Sequence, residues 1–108
     1  MADIQISVEG RDAVAATEEL FAISGLSGNW ETTGDNEKEG ILATIGTIVA
    51  IVGGAVAIAE QIRKWYQEYK KGKSGKKIDK VLIVGRRGGR LLLENATTIE
   101  QIKQILDE

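Results

Sequence analysis

Hydrophobic and polar residues alternate strictly near the start of the chain, where Ile4, Ile6 and Val8 are separated by Gln5, Ser7 and Glu9. A period of two predicts a β-strand with one buried face. From Asp12 the period lengthens: Val14, Thr17 and Phe21 share a helical stripe, Ala13, Leu20 and Ile23 lie beside it, and Gly25 follows as a stop. That pattern predicts a half-buried helix. Residues 28–33, bounded by Gly28 and Gly34 and holding Trp30 with two threonines, predict a short second strand, followed by a charged loop at 34–40.

Residues 41–59 then run without a single charged side chain and merge, with no proline, into a strongly amphipathic stretch. Within residues 55–71, Val56, Ala59, Ile62 and Tyr66 fall on one face and charges on the other, which predicts a helix. The first half leaves two readings open, because Ile, Val and Thr dominate it and Gly53-Gly54 is either a turn or a helix break. One helix over 41–71 would be about 46 Å long, whereas a domain of this size has a radius of gyration near 13 Å. The expectation is therefore a long apolar Gly/Ala-rich central helix that projects, or a helix pair broken at the two glycines.

Further on, Val81-Leu82-Ile83-Val84 suits a central strand, and residues 90–94 suit its hairpin partner across the Gly85-Arg86-Arg87-Gly88-Gly89 turn. Thr98 precedes Gln101 by three, the spacing of a capping box, and Ile99, Ile102, Ile105 and Leu106 form the apolar stripe of a last helix. The element order β-α-β-α(α)-β-β-α predicts an α+β fold, distantly ferredoxin-like, in which strands from both ends share one sheet with helices packed on one face.

Length and composition narrow the function. At 108 residues, with 43% hydrophobic and 28% charged residues, the chain has the size and usage of a single globular domain, 1–108. It has neither Cys nor His, which removes disulfides, a thiolate nucleophile, the usual zinc ligand sets and any unperturbed group titrating near neutrality. A carboxylate or lysine mechanism would need perturbed residues grouped in a cleft. The expectation is a protein that is not an enzyme, with no catalytic residues, cofactor or metal. The chain opens on Met1-Ala2-Asp3 and places its apolar run in the middle, unlike a signal peptide, so a cytoplasmic location is expected, with membrane association as the second expectation.

Charge is segregated although the total is only −2: residues 1–40 carry nine acids and two bases, and residues 60–93 carry eleven bases and three acids. Such a dipole favours head-to-tail association or an anionic partner. The uncharged run meets the length rule for a membrane span and is followed by lysines and arginines, as the positive-inside rule asks. A span would, however, separate the first two strands from the last two, leaving each half too little core. Ala43, Thr47, Ala50, Gly54 and Ala57 recur at helical spacing with Gly53 alongside, the small-residue stripe that lets another backbone approach. Three uses of the segment stand open: a core helix of a monomer, a homo-oligomer interface, or membrane insertion.

Two motif fragments carry little. Gly72-Lys73-Ser74 resembles the end of a P-loop, but Gln67 stands where that motif needs glycine. The Gly85 to Gly88 spacing matches a G-x-x-G clamp, but it joins two predicted strands instead of two helices and suits a hairpin turn. The basic group Lys70, Lys71, Lys73, Lys76, Lys77, Arg86 and Arg87, extended by Lys80 and Arg90, could hold anions or lipid headgroups, or could simply be solvated. Trp65, Tyr66 and Tyr69 interleave with it at helical spacing, which suits a core cap better than base stacking, so nucleic acid is not an expected partner.

The N-terminal strand and acidic helix, the Gly53-Gly54-Ala55-Val56-Ala57 segment, the Ile62-Arg63-Lys64-Trp65 helix end and the closing glycine hairpin together resemble the effector-associated constant component family. The resemblance implies a small accessory protein encoded beside effectors in bacterial NTP-dependent conflict systems. Caspase-like or trypsin-like proteases are expected among the neighbours, and the expected roles are adaptor or membrane-linked. It carries over no catalytic residues. The combined expectation is a non-enzymatic adaptor or oligomerisation module of a defence or signalling system, associating through residues 41–66 with a second copy or an effector. The alternative is a membrane-associating protein using the same segment and the basic cluster at 70–90.

Overall fold

A computed structural model describes residues 3–32, 42–72 and 75–107. The expected charged loop at 34–40, and Lys73 of the basic group, lie outside the described residues. Eight elements follow one another: β1 (Ile4–Gly10), α1 (Ala13–Phe21), β2 (Leu26–Thr32), β3 (Leu42–Ile51), α2 (Ala55–Lys71), β4 (Lys80–Val84), β5 (Arg90–Leu92) and α3 (Ile99–Leu106). The protein is an α+β domain built on one five-stranded antiparallel sheet of order β2-β3-β1-β4-β5. β1 forms the centre, so the two ends of the chain meet in one sheet as the sequence pattern suggests.

The main correction concerns the uncharged segment. It contains no long apolar helix and no helix pair: residues 42–51 are β3, and the helix begins only at Ala55. Six of the ten residues in LATIGTIVAI are β-branched. Such side chains fit a pleated surface and lose rotamer freedom in a helix. Gly53 and Gly54 follow with φ of 93° and 101°, left-handed values that no α-helix accommodates and that glycine adopts without steric cost. The chain therefore turns sharply between strand and helix. A radius of gyration of 12.9 Å is reached by folding this segment back on itself.

Strand pairing sorts the segment by face. Thr44, Gly46 and Ile48 point under the helices and are buried. Gly46 lies where an added Cβ would come within 2.5 Å of the Phe21 ring, and Gly28 on the neighbouring strand sits under the same ring. Two glycines thus form the seat for α1. Ser27 pairs with Ala50 and Gly28 with Ile48, leaving Val49 as an extra residue, a bulge that swings the end of β3 and restores Ile51 to the helix side opposite Leu26.

The core is continuous, formed by Ile4, Ile6 and Val8 of β1, Leu20 of α1, Ile58 and Ile62 of α2, Ile83 of β4 and Ile102 of α3. The buried Thr17 and Thr44 hydroxyls share a hydrogen bond, and Thr17 Oγ1 also donates to the Ala13 carbonyl at 2.7 Å, so polar atoms inside remain satisfied. At the other end of the chain the capping box is present as expected. The Gln101 amide donates to Thr98 Oγ1 at 3.2 Å and the Thr98 amide to Gln101 Oε1 at 2.9 Å.

Candidate association surface

Strand directions place every candidate residue at one of two ends. β3 runs up to the end where β1 begins, since Ile4 pairs with Ile48, and β4 finishes there too, since Gln5 pairs with Val84. The β3–α2 turn and the β4–β5 hairpin therefore share a rim, separated by the width of β1. Two strand spacings, about 10 Å, lie between them. On this rim Val49, Ala50, Val52, Gly53, Gly54, Val56 and Ala57 are exposed, the three valines at 53%, 68% and 50%. None is charged. A bent strand end, two left-handed glycines and the uncapped first turn of α2 together push these side chains outward.

The small-residue stripe is therefore not a helical stripe. Ala50, Gly53, Gly54 and Ala57 come together on the rim. Ala43 at the start of β3 and Thr47 in its middle lie on the sheet face away from the helices, and Ala43 is separated from Ala50 by seven residues of strand, about 24 Å. Helical spacing was the wrong period for a segment that is half strand. Val49, Val52 and Val56 are the residues the stripe omitted, and their exposure depends on the turn, which leaves no periodic signal.

The basic group is split in the same way. Arg86 and Arg87 sit on the hairpin at the apolar rim, Arg86 donating to the Leu106 carbonyl at 3.3 Å. Lys70, Lys71, Lys76 and Lys77 lie at the far end, where α2 finishes and the chain returns to β4. The 17 residues of α2 put about 25 Å between the two groups. At the far end Lys70 Nζ donates to the Asp79 carbonyl at 2.7 Å, and the Lys77 amide donates to Asp12 Oδ2 at 2.8 Å. A single lipid surface cannot meet the apolar rim and all of the lysines together.

Trp65, Tyr66 and Tyr69 are buried, as a core cap requires. Trp65 Nε1 donates to the Ala16 carbonyl at 2.8 Å and the Tyr69 hydroxyl to Glu19 Oε2 at 2.5 Å, tying α2 to α1. Tyr66 instead borders an open cleft of about 500 Å³ that Leu92, Leu93 and Glu94 help to line. Burial, and then the nearby Glu94 carboxylate, push its phenol above the ordinary value near 10. Above pH 10 the unfolded chain thus gives up this proton before the folded one does. Stability is therefore complete below pH 10 and falls as pH rises toward the folded value, by up to about 1.4 kcal/mol per pH unit. Denaturant titrations of wild type and Tyr66→Phe at pH 8 and pH 11 should show the wild type losing more; equal losses would place the phenol in ordinary solvent.

No helix among the described residues is long and apolar enough to cross a membrane. Compared with models of known families, with characterised proteins and with solved structures, the chain matches none.

Proposed function

We propose that this chain is a non-enzymatic adaptor of a bacterial defence or signalling system, acting in the cytoplasm and docking an effector protein through the rim of Val49, Val52 and Val56. The reading rests on one observation: seven exposed, uncharged residues gathered at one end beside Arg86 and Arg87. Exposed valines keep apolar surface in water, and burying each one in a partner contributes about 1.5 kcal/mol. The rim projects, so the fitting partner offers an apolar recess bordered by acidic side chains for the two arginines. The resemblance of the Gly53-Gly54-Ala55-Val56-Ala57 and Ile62-Arg63-Lys64-Trp65 segments to the effector-associated constant component family motivates the choice of an effector as partner, and membership of that family is part of the proposal. The first six elements, β-α-β-β-α-β with strand order β2-β3-β1-β4, support a ferredoxin-like core extended by β5 and α3. That fold hosts many unrelated activities, so the reading stands on the rim and not on the fold.

The test is co-purification and titration against the effector encoded beside this chain, comparing wild type with Val52→Asp/Val56→Asp. Both positions are exposed, so thermal stability should change little, while affinity should fall at least about tenfold. Undiminished binding by the double variant would remove the rim from the interface. A second reading has its own support, since apolar turn and arginine hairpin share one end and could touch an anionic bilayer with Val52 inserted. Flotation with phosphatidylglycerol vesicles separates the two. Failure of the wild type to float at low salt rules out the bilayer, and flotation lost in the double variant favours it.

A further inference from the structure

Tyr66 differs from the two other buried rings of α2. Trp65 Nε1 and the Tyr69 hydroxyl both find partners on α1, whereas the Tyr66 hydroxyl has none among the described residues although Tyr66 is only 4% exposed. A buried tyrosine ordinarily satisfies this group within the protein. No side-chain polar atom among the described residues is sealed from solvent without a partner, so the Tyr66 hydroxyl opens into the cleft of about 500 Å³ that the residue borders. The cleft has the volume of a small-molecule site, and it lies toward the end of α2 remote from the Val52 rim.

Three pieces of chain wall it in. Lys70 stands one turn beyond Tyr66 on α2, Asp79 and Lys80 lead into β4, and residues 92–95 lead out of β5. The last wall is fastened: the Leu93 amide donates to the Val81 carbonyl at 2.9 Å, the Glu94 amide to Thr97 Oγ1 at 2.7 Å, and Arg63 Nε to the Thr97 carbonyl at 3.0 Å. A wall held in advance lowers the ordering cost of binding. Leu92, Leu93 and the Tyr66 ring supply apolar surface, while the ammonium groups of Lys70 and Lys80 balance the carboxylates of Asp79 and Glu94. Lys80, Asp79 and Glu94 make no ion pair among the described residues. Glu94 is close enough to oppose ionisation of the phenol, so a proton donor and an anion stand side by side.

We infer that this cleft binds a free α-amino acid with a large apolar side chain, of the leucine or phenylalanine kind. Its carboxylate accepts from the Tyr66 hydroxyl and pairs with Lys80, its ammonium pairs with Glu94, and its side chain lies against Leu92 and Leu93. An α-amino acid carries both charges on groups attached to one carbon, which matches a donor and a carboxylate set side by side. A ligand of single charge would meet repulsion, an anion from Asp79 and Glu94 and a cation from Lys70 and Lys80. An uncharged hydrocarbon would cover the phenol and leave it without a partner. The inference is independent of the effector-docking proposal, because none of these residues belongs to the rim.

The test is heteronuclear NMR titration of the whole chain with L-leucine and, in parallel, L-phenylalanine, with circular dichroism as a control for folding. The amide signals of residues 92–95 should shift and saturate, with a Kd on the order of 1 mM because the cleft is open. N-acetyl-leucine lacks the ammonium, leucinamide the carboxylate and glycine the side chain, and each should bind at least about tenfold more weakly. Tyr66→Phe, Lys80→Gln and Glu94→Gln should each weaken leucine binding at least about fivefold. The inference is overturned if neither amino acid gives a saturable shift at about 20 mM. It is equally overturned if the capped forms or glycine bind as well as leucine, or if a folded Tyr66→Phe variant binds as tightly as wild type. None of these variants touches Val52 or Val56, so loss of amino-acid binding and loss of effector binding are read separately.

Discussion

Gly10→Ala should destabilise the fold by about 3 kcal/mol, lowering the melting temperature by roughly 12 °C. Gly10 closes β1 with φ of 147°, and a Cβ there would stand 2.7 Å from the Ile78 Cα and 2.8 Å from the Asp79 nitrogen. Both obstacles are backbone, which cannot swing aside as a side chain can. The strap that carries them is fastened around Gly10: the Asp79 amide donates to the Glu9 carbonyl at 2.8 Å and the Asp12 amide to the Lys77 carbonyl at 3.3 Å. Ile78 is fully buried, so lifting the strap also exposes core. Gly54→Ala makes the control for backbone strain alone, because its φ of 101° is also positive but nothing stands within 4 Å. It should lose only about 1 kcal/mol. Equal losses at the two positions, measured by urea titration, would show that dihedral strain and not the close strap governs Gly10.

Trp65→Ala should cost more, about 4 kcal/mol, the usual toll of removing a buried indole. The side chain is 5% exposed and joins α2 to α1 through Nε1, which donates to the Ala16 carbonyl, while its ring packs at 6.1 Å and 49° on Tyr69 one turn along α2. Trp65→Phe separates these contributions. It keeps most of the packing and loses one hydrogen bond, for about 1 kcal/mol plus the missing volume. Since Trp30 remains as a fluorescent reporter, unfolding can be followed in both variants. A cost for alanine near that for phenylalanine would mean that α1 and α2 are held together elsewhere, through Tyr69 and Glu19.

How much was legible along the chain depended on how local each signal is. The Thr98–Gln101 capping box needs only four residues and was readable as such. The body of α2 over residues 55–71 was equally plain, because charges fill its outer face, but its start was not, since Gly53-Gly54 left both a continuous helix and a break open. β1 was clear because Gln5, Ser7 and Glu9 mark its open side. β3 was hidden for the opposite reason. Its outer positions Ala43, Ile45 and Thr47 are as uncharged as its buried ones, so the period of two disappears and a continuous apolar run remains. The bulge at Val49 erases what alternation is left. Val56, expected on the buried face of α2, is instead half exposed, because the turn lifts the start of the helix beyond the sheet.

The sequence alone determined that this is an α+β chain with strands from both ends in a common sheet, and that it carries an uncharged segment and a segregated charge pattern. Those properties follow from composition and short-range periodicity. Only the tertiary structure decided that residues 42–51 are a strand, because a β-branched run becomes a strand by pairing with β1 and β2, partners distant in sequence. The same pairing decided which candidate residues meet. It set Val52 at the same end as Arg86, carried Lys77 to the opposite end, and aligned Glu31, Ile45, Ser7, Leu82 and Leu92 in a single row, a relation among five strands that no window along the chain contains.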